Sequence, residues 1–274
     1  MTDVTLVVAT RNRRDRLIET LPRHSAPVIL VDNGSDDGGP ELVSSAFPHV
    51  DVVRLGENRG AAARNVGVER ARTPFVAFAD DDSYWTPESL TRAAALLHAH
   101  ERVGLLTARV LVGPEQRVDP VSDEMAAAPL GVPAGGCGPA VLGFLSCAVV
   151  VRREAFLAAG GFRPELHVYG EEALLAMDLA AAGWLLCYTP ELTVHHLPLP
   201  AGRDDGARRR REARNSLLTA VLRRPPAVVA RAAAASWRAD RRAVTDVLPL
   251  LPWALRGRRR LPAEVESALV TLKS

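Results

Sequence analysis

The chain has 274 residues, 47% of them hydrophobic and 24% charged, enough for a real core in one large domain or in one domain with an appendage. Its three cysteines, Cys137, Cys147 and Cys187, lack Cys-x-x-Cys spacing and cannot all pair, which argues against a disulfide framework or a zinc ribbon and fits a reducing compartment. The net charge of +2 conceals an asymmetry: 16 basic and 5 acidic residues from Arg208 onward, against 18 and 27 before it, make an acidic body of −9 with a basic region of +11.

Val4–Ala9 reads as a buried parallel strand, entered almost at once, with no signal peptide expected before it. Thr10-Arg11-Asn12-Arg13 is the loop that follows, and a helix starts near Asp15. Val28–Val31 is a second strand, ending in the acid-rich loop Asp32-Asn33-Gly34-Ser35-Asp36-Asp37. A short helix over Pro40–Phe47 and a third strand over Val50–Leu55 come next. Asn58 to Asn65 opens a helix whose small residues permit close packing, and Phe75–Phe78 is a fourth strand. This β-α-β-α-β-α-β alternation predicts a mostly parallel, right-handed sheet covered by helices on both faces.

Thr86-Pro87-Glu88 carries the signals of a helix start. Val103–Val112 is a further strand. Met125 to Val151 runs 27 residues without a charge, long enough to span a bilayer, but three prolines and five glycines make it a mobile loop leading into a buried strand from Cys147. Arg153–Ala159 is a short helix closed by Gly160-Gly161, and Glu171–Ala182 a helix ended by Gly183. Trp184–Tyr188 and Thr193–His195 read as two short strands. Beyond Pro200 the chain turns helical and basic: one helix from Arg208 to about Leu222, a break at Pro225-Pro226, and a second from Ala227 to about Arg242. Leu248–Leu255 is apolar, with Pro249, Pro252 and Trp253.

The chain is organised around Asp80-Asp81-Asp82, three adjacent carboxylates just past the C-terminal end of the fourth strand. That edge is where ligands bind in open α/β sheets. Carboxylates so close together repel, and their oxygens suit a hard cation such as Mg²⁺ or Mn²⁺. A solvated acidic turn is the alternative.

Four features, in this order across residues 4 to 196, resemble glycosyltransferase family 2 with its GT-A fold. They are Val7-Val8-Ala9-Thr10-Arg11-Asn12; Val31-Asp32-Asn33-Gly34-Ser35-Asp36-Asp37; Asn58-Arg59-Gly60 to Arg64-Asn65, followed by the acidic triplet; and Val151 to Phe156, Gly160-Gly161-Phe162, Gly170-Glu171-Glu172 and Pro190-Glu191 to His196. Arg214-Asn215 further resembles the bacterial rhamnosyltransferase-like members. The resemblance implies an α/β GT-A domain over residues 1–204, with a nucleotide-sugar-binding half, 1–112, and an acceptor-binding half, 113–204. A basic helical extension, 205–274, follows.

By the same resemblance, the reaction is an inverting transfer from a nucleoside-diphosphate sugar, UDP- or dTDP-linked, to an acceptor hydroxyl by direct displacement. Ala9, Thr10, Arg11, Asn12, Asp32, Gly60, Arg64, Asp80 and Asp81 would line the donor. Asp82, Asp80 and His196 would hold Mn²⁺ or Mg²⁺, which would neutralise the departing diphosphate. Arginine's fixed fork of donors suits Arg64 to oxyanions. Glu172 aligns with the family's base, and Glu171 is the alternative. Trp85, Phe144 and Leu145, with the Gly135–Phe144 loop as a lid, are the candidate acceptor contacts.

Three departures stand out. Arg163 replaces an Asp that often follows Gly-Gly-Phe in the family, and Leu174 and Asp178 stand where an acid and an Arg are usual. A catalytically silent nucleotide- or partner-binding scaffold is the rival reading. A sugar-phosphate nucleotidyltransferase would need glycine in the first loop, and Ala9–Arg14 has none. Few aromatics interleave with the arginines, which counts against nucleic acid. The expected location is cytoplasmic, with the basic region a candidate for peripheral contact with the inner face of the membrane or for a homodimer contact.

Overall fold

The computed structural model describes residues 3–198 and 205–272. It is a mixed α/β fold built on a curled central sheet in the order β3-β2-β1-β4-β8-β6-β9-β5, with β7 paired to β6. The strands are β1 (Val4–Thr10), β2 (Val28–Asp32), β3 (Asp51–Arg54), β4 (Phe75–Ala79), β5 (Ser83–Trp85), β6 (Val103–Val112), β7 (Arg117–Val118), β8 (Val149–Arg152) and β9 (Leu185–His196). The first four pair in parallel; β8 runs antiparallel between β4 and β6; β9 is parallel to β6. Thus β1, β2, β3, β4, β6 and β9 share one direction.

Period-two alternation decides which side chains go to which face. Val4, Leu6 and Val8, with Val28 and Leu30, and with Phe75, Ala77 and Ala79, point to one side. There they pack on α1 (Arg14–Thr20), α2 (Gly39–Ala46) and α4 (Pro87–Ala99) through Leu17, Val43, Leu90 and Leu97. Val7, Ile29, Val31, Val76 and Phe78 point to the other side. They meet α3 (Ala63–Arg70), α6 (Arg153–Ala159) and α7 (Glu171–Ala181) through Val68, Phe156 and Leu175. Between α4 and α6 lies α5 (Pro120–Ala126), whose N-cap Asp119 accepts the Val121 N–H.

The structure extends the expected elements in places. Asp80-Asp81-Asp82 does not end in an open loop, because the next residues form β5 against β9. The two short strands expected over 184–195 are one strand, β9, that stays on β6 across a bulge between Ala108 and Arg109. Cys147 sits in a 3₁₀ turn, Ser146–Ala148, and the strand begins at Val149. Thr86 takes the N-cap place of α4, but its hydroxyl pairs with that of Ser89, 2.7 Å away, rather than with a backbone N–H.

The basic region forms α8 (Asp205–Arg223), α9 (Pro226–Ala239), α10 (Arg241–Thr245), α11 (Leu251–Arg256) and α12 (Ala263–Thr271). Asp240 caps α10 through the Arg242 N–H, which ends the helix expected to run to Arg242. Leu217, Leu218 and Leu222 of α8 share an apolar cluster with Leu166 and Leu174, so the extension is packed onto the core. Its arginines reach inward: Arg223 pairs with Asp178, Arg224 with Glu266 at 2.7 and 3.0 Å, and Arg258 caps the Val221 and Arg224 carbonyls. Among the described residues no helix is long and apolar enough to cross a membrane. Trp237, Leu248 and Leu255 are exposed.

Close packing of α3 on the sheet depends on Gly67, where an added Cβ would stand 2.4 Å from Cγ1 of buried Val7. Gly67→Ala would gain about 1 kcal/mol of helix propensity but overpack this contact at a cost of roughly 1–3 kcal/mol. A net loss of about 1 kcal/mol in urea unfolding is expected.

Candidate active site

Strand order β2-β1-β4 reverses the direction of winding beside β1, which makes a topological switch point. The C-terminal ends of those strands deliver Thr10, Asp32 and Asp80 to one edge, with Thr10 directly opposite Asp32. Asn12, with a left-handed φ of 54°, ties the first two loops together: its N–H donates to Ser35 Oγ at 2.9 Å and its Oδ1 accepts the Asp36 N–H at 2.9 Å. Arg11 Nε donates to the Gly34 carbonyl at 3.3 Å. Asp32, buried, accepts the Ser35 N–H in an Asx turn. Ala9 lies half-buried at the end of β1.

The three aspartates are used differently. Asp80 pairs with Arg64. Asp81 turns inward, accepts the Thr10 hydroxyl at 3.0 Å and lies 3.9 Å from Arg13 Nε. Burial, then the charges of Asp80 and Asp82, push its carboxyl up to about 7. Asp82 lies 3.4 Å from His196 Nε2. The β5–β9 ladder sets that approach, placing Ser83 opposite His196. Hydrogen bonding of the ring to the Asp82 carboxylate raises the imidazole pKa, with help from the Asp82 and Asp80 charges. Among the described residues no group of three or more His, Cys, Asp or Glu converges as a ready-made metal cage.

Arg64, on the first turn of α3, is buried. Burial opposes its charge, but Asp80, Glu171 and Glu172 outweigh that effect and raise its pKa. It therefore stands between the acidic triplet and the acidic pair. Glu171 is buried, and its Oε2 has no hydrogen-bond partner. Burial and its neighbour Glu172 push its carboxyl up to about 8, which favours the protonated form. Glu172 is half-buried and accepts the Ser146 hydroxyl at 2.9 Å.

The loop before this pair is bound carbonyl by carbonyl. His167 and Tyr169 have φ of 64° and 72°, a region costly for residues with a side chain. The fully buried Asn215 donates to the carbonyls of Leu166, Val168 and Tyr169 at 2.8, 3.1 and 2.7 Å. The carbonyl between them, His167, accepts the Ala61 N–H at 2.7 Å. That approach requires glycine at position 60, where a Cβ would lie 2.4 Å from the same oxygen. Arg214 adds bonds to the Glu165 and Leu166 carbonyls and to Asn215 Oδ1. The donor side thus meets the acidic pair through Gly60, and α8 holds the pair from behind. In sequence, Arg214-Asn215 signalled only a likeness; its fixing of the loop needed the fold.

Two further expectations are corrected. Trp85 is a core side chain, 1% exposed, whose Nε1 donates to the Phe78 carbonyl, so it is no wall for an acceptor. Its place on β5 turns it toward the face packed by α4. Leu145 packs against the same cluster, whereas Phe144 lines an open cavity beside α7. The departures at 163 and 178 meet: Arg163 Nη2 lies 3.9 Å from Asp178, and Arg223 completes the pairing. The Asp and the Arg expected at these positions are thus exchanged, with the two charges kept side by side.

Two measurements check this geometry. Asn215→Leu removes the side-chain donor of the Val168 and Tyr169 carbonyls, Leu166 keeping Arg214, and is expected to cost about 2–3 kcal/mol in urea unfolding. Glu171 keeps its proton when folded and loses it more readily when unfolded, so stability should fall as pH rises from about 4.5 to about 8. Glu171→Gln removes that slope, and its Tm should exceed that of the parent chain above pH 8.

Comparison with known proteins places these features in a family. The model of glycosyl transferase family 2 matches residues 5–157. An N-acetylglucosaminyl-diphospho-decaprenol L-rhamnosyltransferase of Mycobacterium tuberculosis is 29% identical over 245 residues, covering 74% of this chain and 80% of the relative. Among solved structures, a mannosyltransferase from Pyrobaculum calidifontis, in complex with GDP-Man and Mn²⁺, superposes with a TM-score of 0.62 at 22% identity. It covers 99% of this chain and 75% of that one. TarS from S. aureus, in complex with UDP-GlcNAc, gives 0.59 at 16% identity over 99% of this chain and 90% of that one. The strand-end aspartates, the buried arginine and the acidic pair at a helix start therefore belong to a glycosyltransferase, and the chain is a member of glycosyl transferase family 2.

Proposed function

We propose that the chain transfers a sugar from a nucleoside-diphosphate donor, UDP- or dTDP-linked, to an acceptor hydroxyl by metal-assisted direct displacement with inversion. The observation that carries this is the place of Arg64: buried, paired to Asp80, and within the field of Glu171 and Glu172. One charged fork there can steady a diphosphate on the side of the strand ends while the acidic pair faces the acceptor. The donor's base would lie along Thr10–Asn12 and Asp32, at the edge where β1 and β2 end. Neighbours of the same fold that bind GDP-Man or UDP-GlcNAc support a nucleotide-sugar donor.

Asp80, Asp82 and His196, two carboxylates and an imidazole, would suit Mn²⁺ or Mg²⁺ in chemistry. Such an ion supplies neutralisation of the charge that develops on the leaving diphosphate. His196 would have to be neutral to serve as a ligand.

Glu172 takes the proton of the acceptor hydroxyl. It is the member of the pair that reaches a polar neighbour, Ser146, whereas burial raises the pKa of Glu171 and makes it the poorer base. Attack on the anomeric carbon from the face opposite the diphosphate inverts its configuration. Glu171 shields the base and holds the helix start in a water-poor setting.

Calorimetric titration of UDP, dTDP and GDP, each with Mn²⁺ and with EDTA, is expected to show metal-dependent binding of one nucleotide that Asp82→Ala abolishes. Glu172→Gln should lower turnover about 10²–10⁴-fold while leaving nucleotide affinity within about twofold. Retained turnover in that variant would remove Glu172 from the mechanism. Nucleotide binding without any transfer or donor hydrolysis by the parent chain would favour a binding scaffold.

A further inference from the structure

An open cavity of about 700 Å³ lies beside the acidic pair, between the 121–144 loop, α7 and the helices of the extension. That volume is within the roughly 300–1,000 Å³ of small-molecule sites. Its walls include Met125, Val141, Phe144, Ala173, Met177 and Leu269. Two of its charged wall residues are spoken for within the chain: Glu212 pairs with Arg208, and Arg224 with Glu266. Glu124 stands exposed at its edge. Apart from Ser216 and Thr219, the interior thus presents mostly hydrocarbon, with two methionines able to adapt to a flexible guest.

We infer that this cavity takes a long aliphatic chain, acyl or prenyl, carried by the acceptor. The inference rests on the glycosyltransferase reading for the identity of the guest as acceptor. Its other support is continuity along the chain. Gly170 and Ala173 line the cavity and bracket Glu171-Glu172. Phe144 lines it two residues before Ser146, whose hydroxyl holds Glu172. A chain lying along α7 from Gly170 to Met177, about 10 Å of helix, sets the polar end of its owner at the carboxylate that takes the proton. The same wall excludes water from the acceptor side of the reaction and adds apolar contact that a free sugar lacks.

The test is calorimetric binding of hexyl, octyl and decyl β-glucosides, each below its micelle concentration, to the full chain. Affinity should rise roughly fourfold per added methylene. Ala232→Trp, on the half-buried wall formed by α9, and Ala220→Phe, on α8, should flatten that rise, with Tm and nucleotide affinity unchanged in at least the first. Affinity independent of chain length overturns the inference, as does an equal rise in both folded variants. If the rise is present and flattened by the variants but no nucleotide binds, the cavity stands and the glycosyltransferase reading fails. If a nucleotide binds and chain length is without effect, that reading stands and the cavity assignment fails.

Discussion

A shortage of positive charge at one sheet edge governs this molecule. Asp80, Asp81, Asp82, Glu171 and Glu172 approach a region in which Arg64 is the buried cation. Carboxylates taken from water and set near one another must find a cation or a proton. Here both occur. Asp80 has Arg64, Asp82 has His196, and Asp81 and Glu171 are pushed toward their protonated forms. A diphosphate brought to such an edge adds negative charge, so the arrangement is balanced only when further positive charge arrives with it. That electrostatic deficit is the physical case for a metal ion, and it exists although no cage of ligands is preformed.

The same constraint explains the basic extension. Several of its arginines act as anchors: Arg223 reaches back to Asp178 of the acidic body, while Arg224 to Glu266 and Arg210 to Asp246 tie the extension together. Arg214 and Asn215 go further and bind the backbone that precedes the acidic pair. A loop with left-handed non-glycine residues costs energy, and a buried amide that satisfies several of its carbonyls offsets that cost. The position of Glu172 therefore depends on α8, a helix more than thirty residues further along the chain.

This division decides what could be read in the sequence. Val4–Thr10, Val28–Asp32 and Phe75–Ala79 announced themselves by apolar runs that end in acids or loop residues. A strand end is a local property, so Thr10, Asp32 and Asp80 were legible as one edge. Trp85 was misread because Ser83–Trp85 is too short for its alternation to show, and its partner strand is over a hundred residues away. β9 was split because Thr189 to Thr193 contains a proline and the bulge it makes on β6 is a feature of pairing. The exchange between Arg163 and Asp178 looked like two separate losses until the fold set them 3.9 Å apart.

On the proposed reading, the two halves of the reaction would differ in kind. The donor side is assembled from strand ends and the helix start beside them, each within a few residues of an apolar run, so its chemistry is written along the chain. The acceptor side is assembled from the 121–144 loop, α7 and three helices of the extension, none of which carries a local motif for its guest. What defines that side is the shape left between packed elements, and the apolar residues that form it serve equally well as core. A residue such as Met177 or Ala220 becomes informative only when the wall opposite is known. Specificity for the acceptor can therefore change by substitutions that look like ordinary core variation, while the donor edge, fixed by charge, cannot drift in the same way.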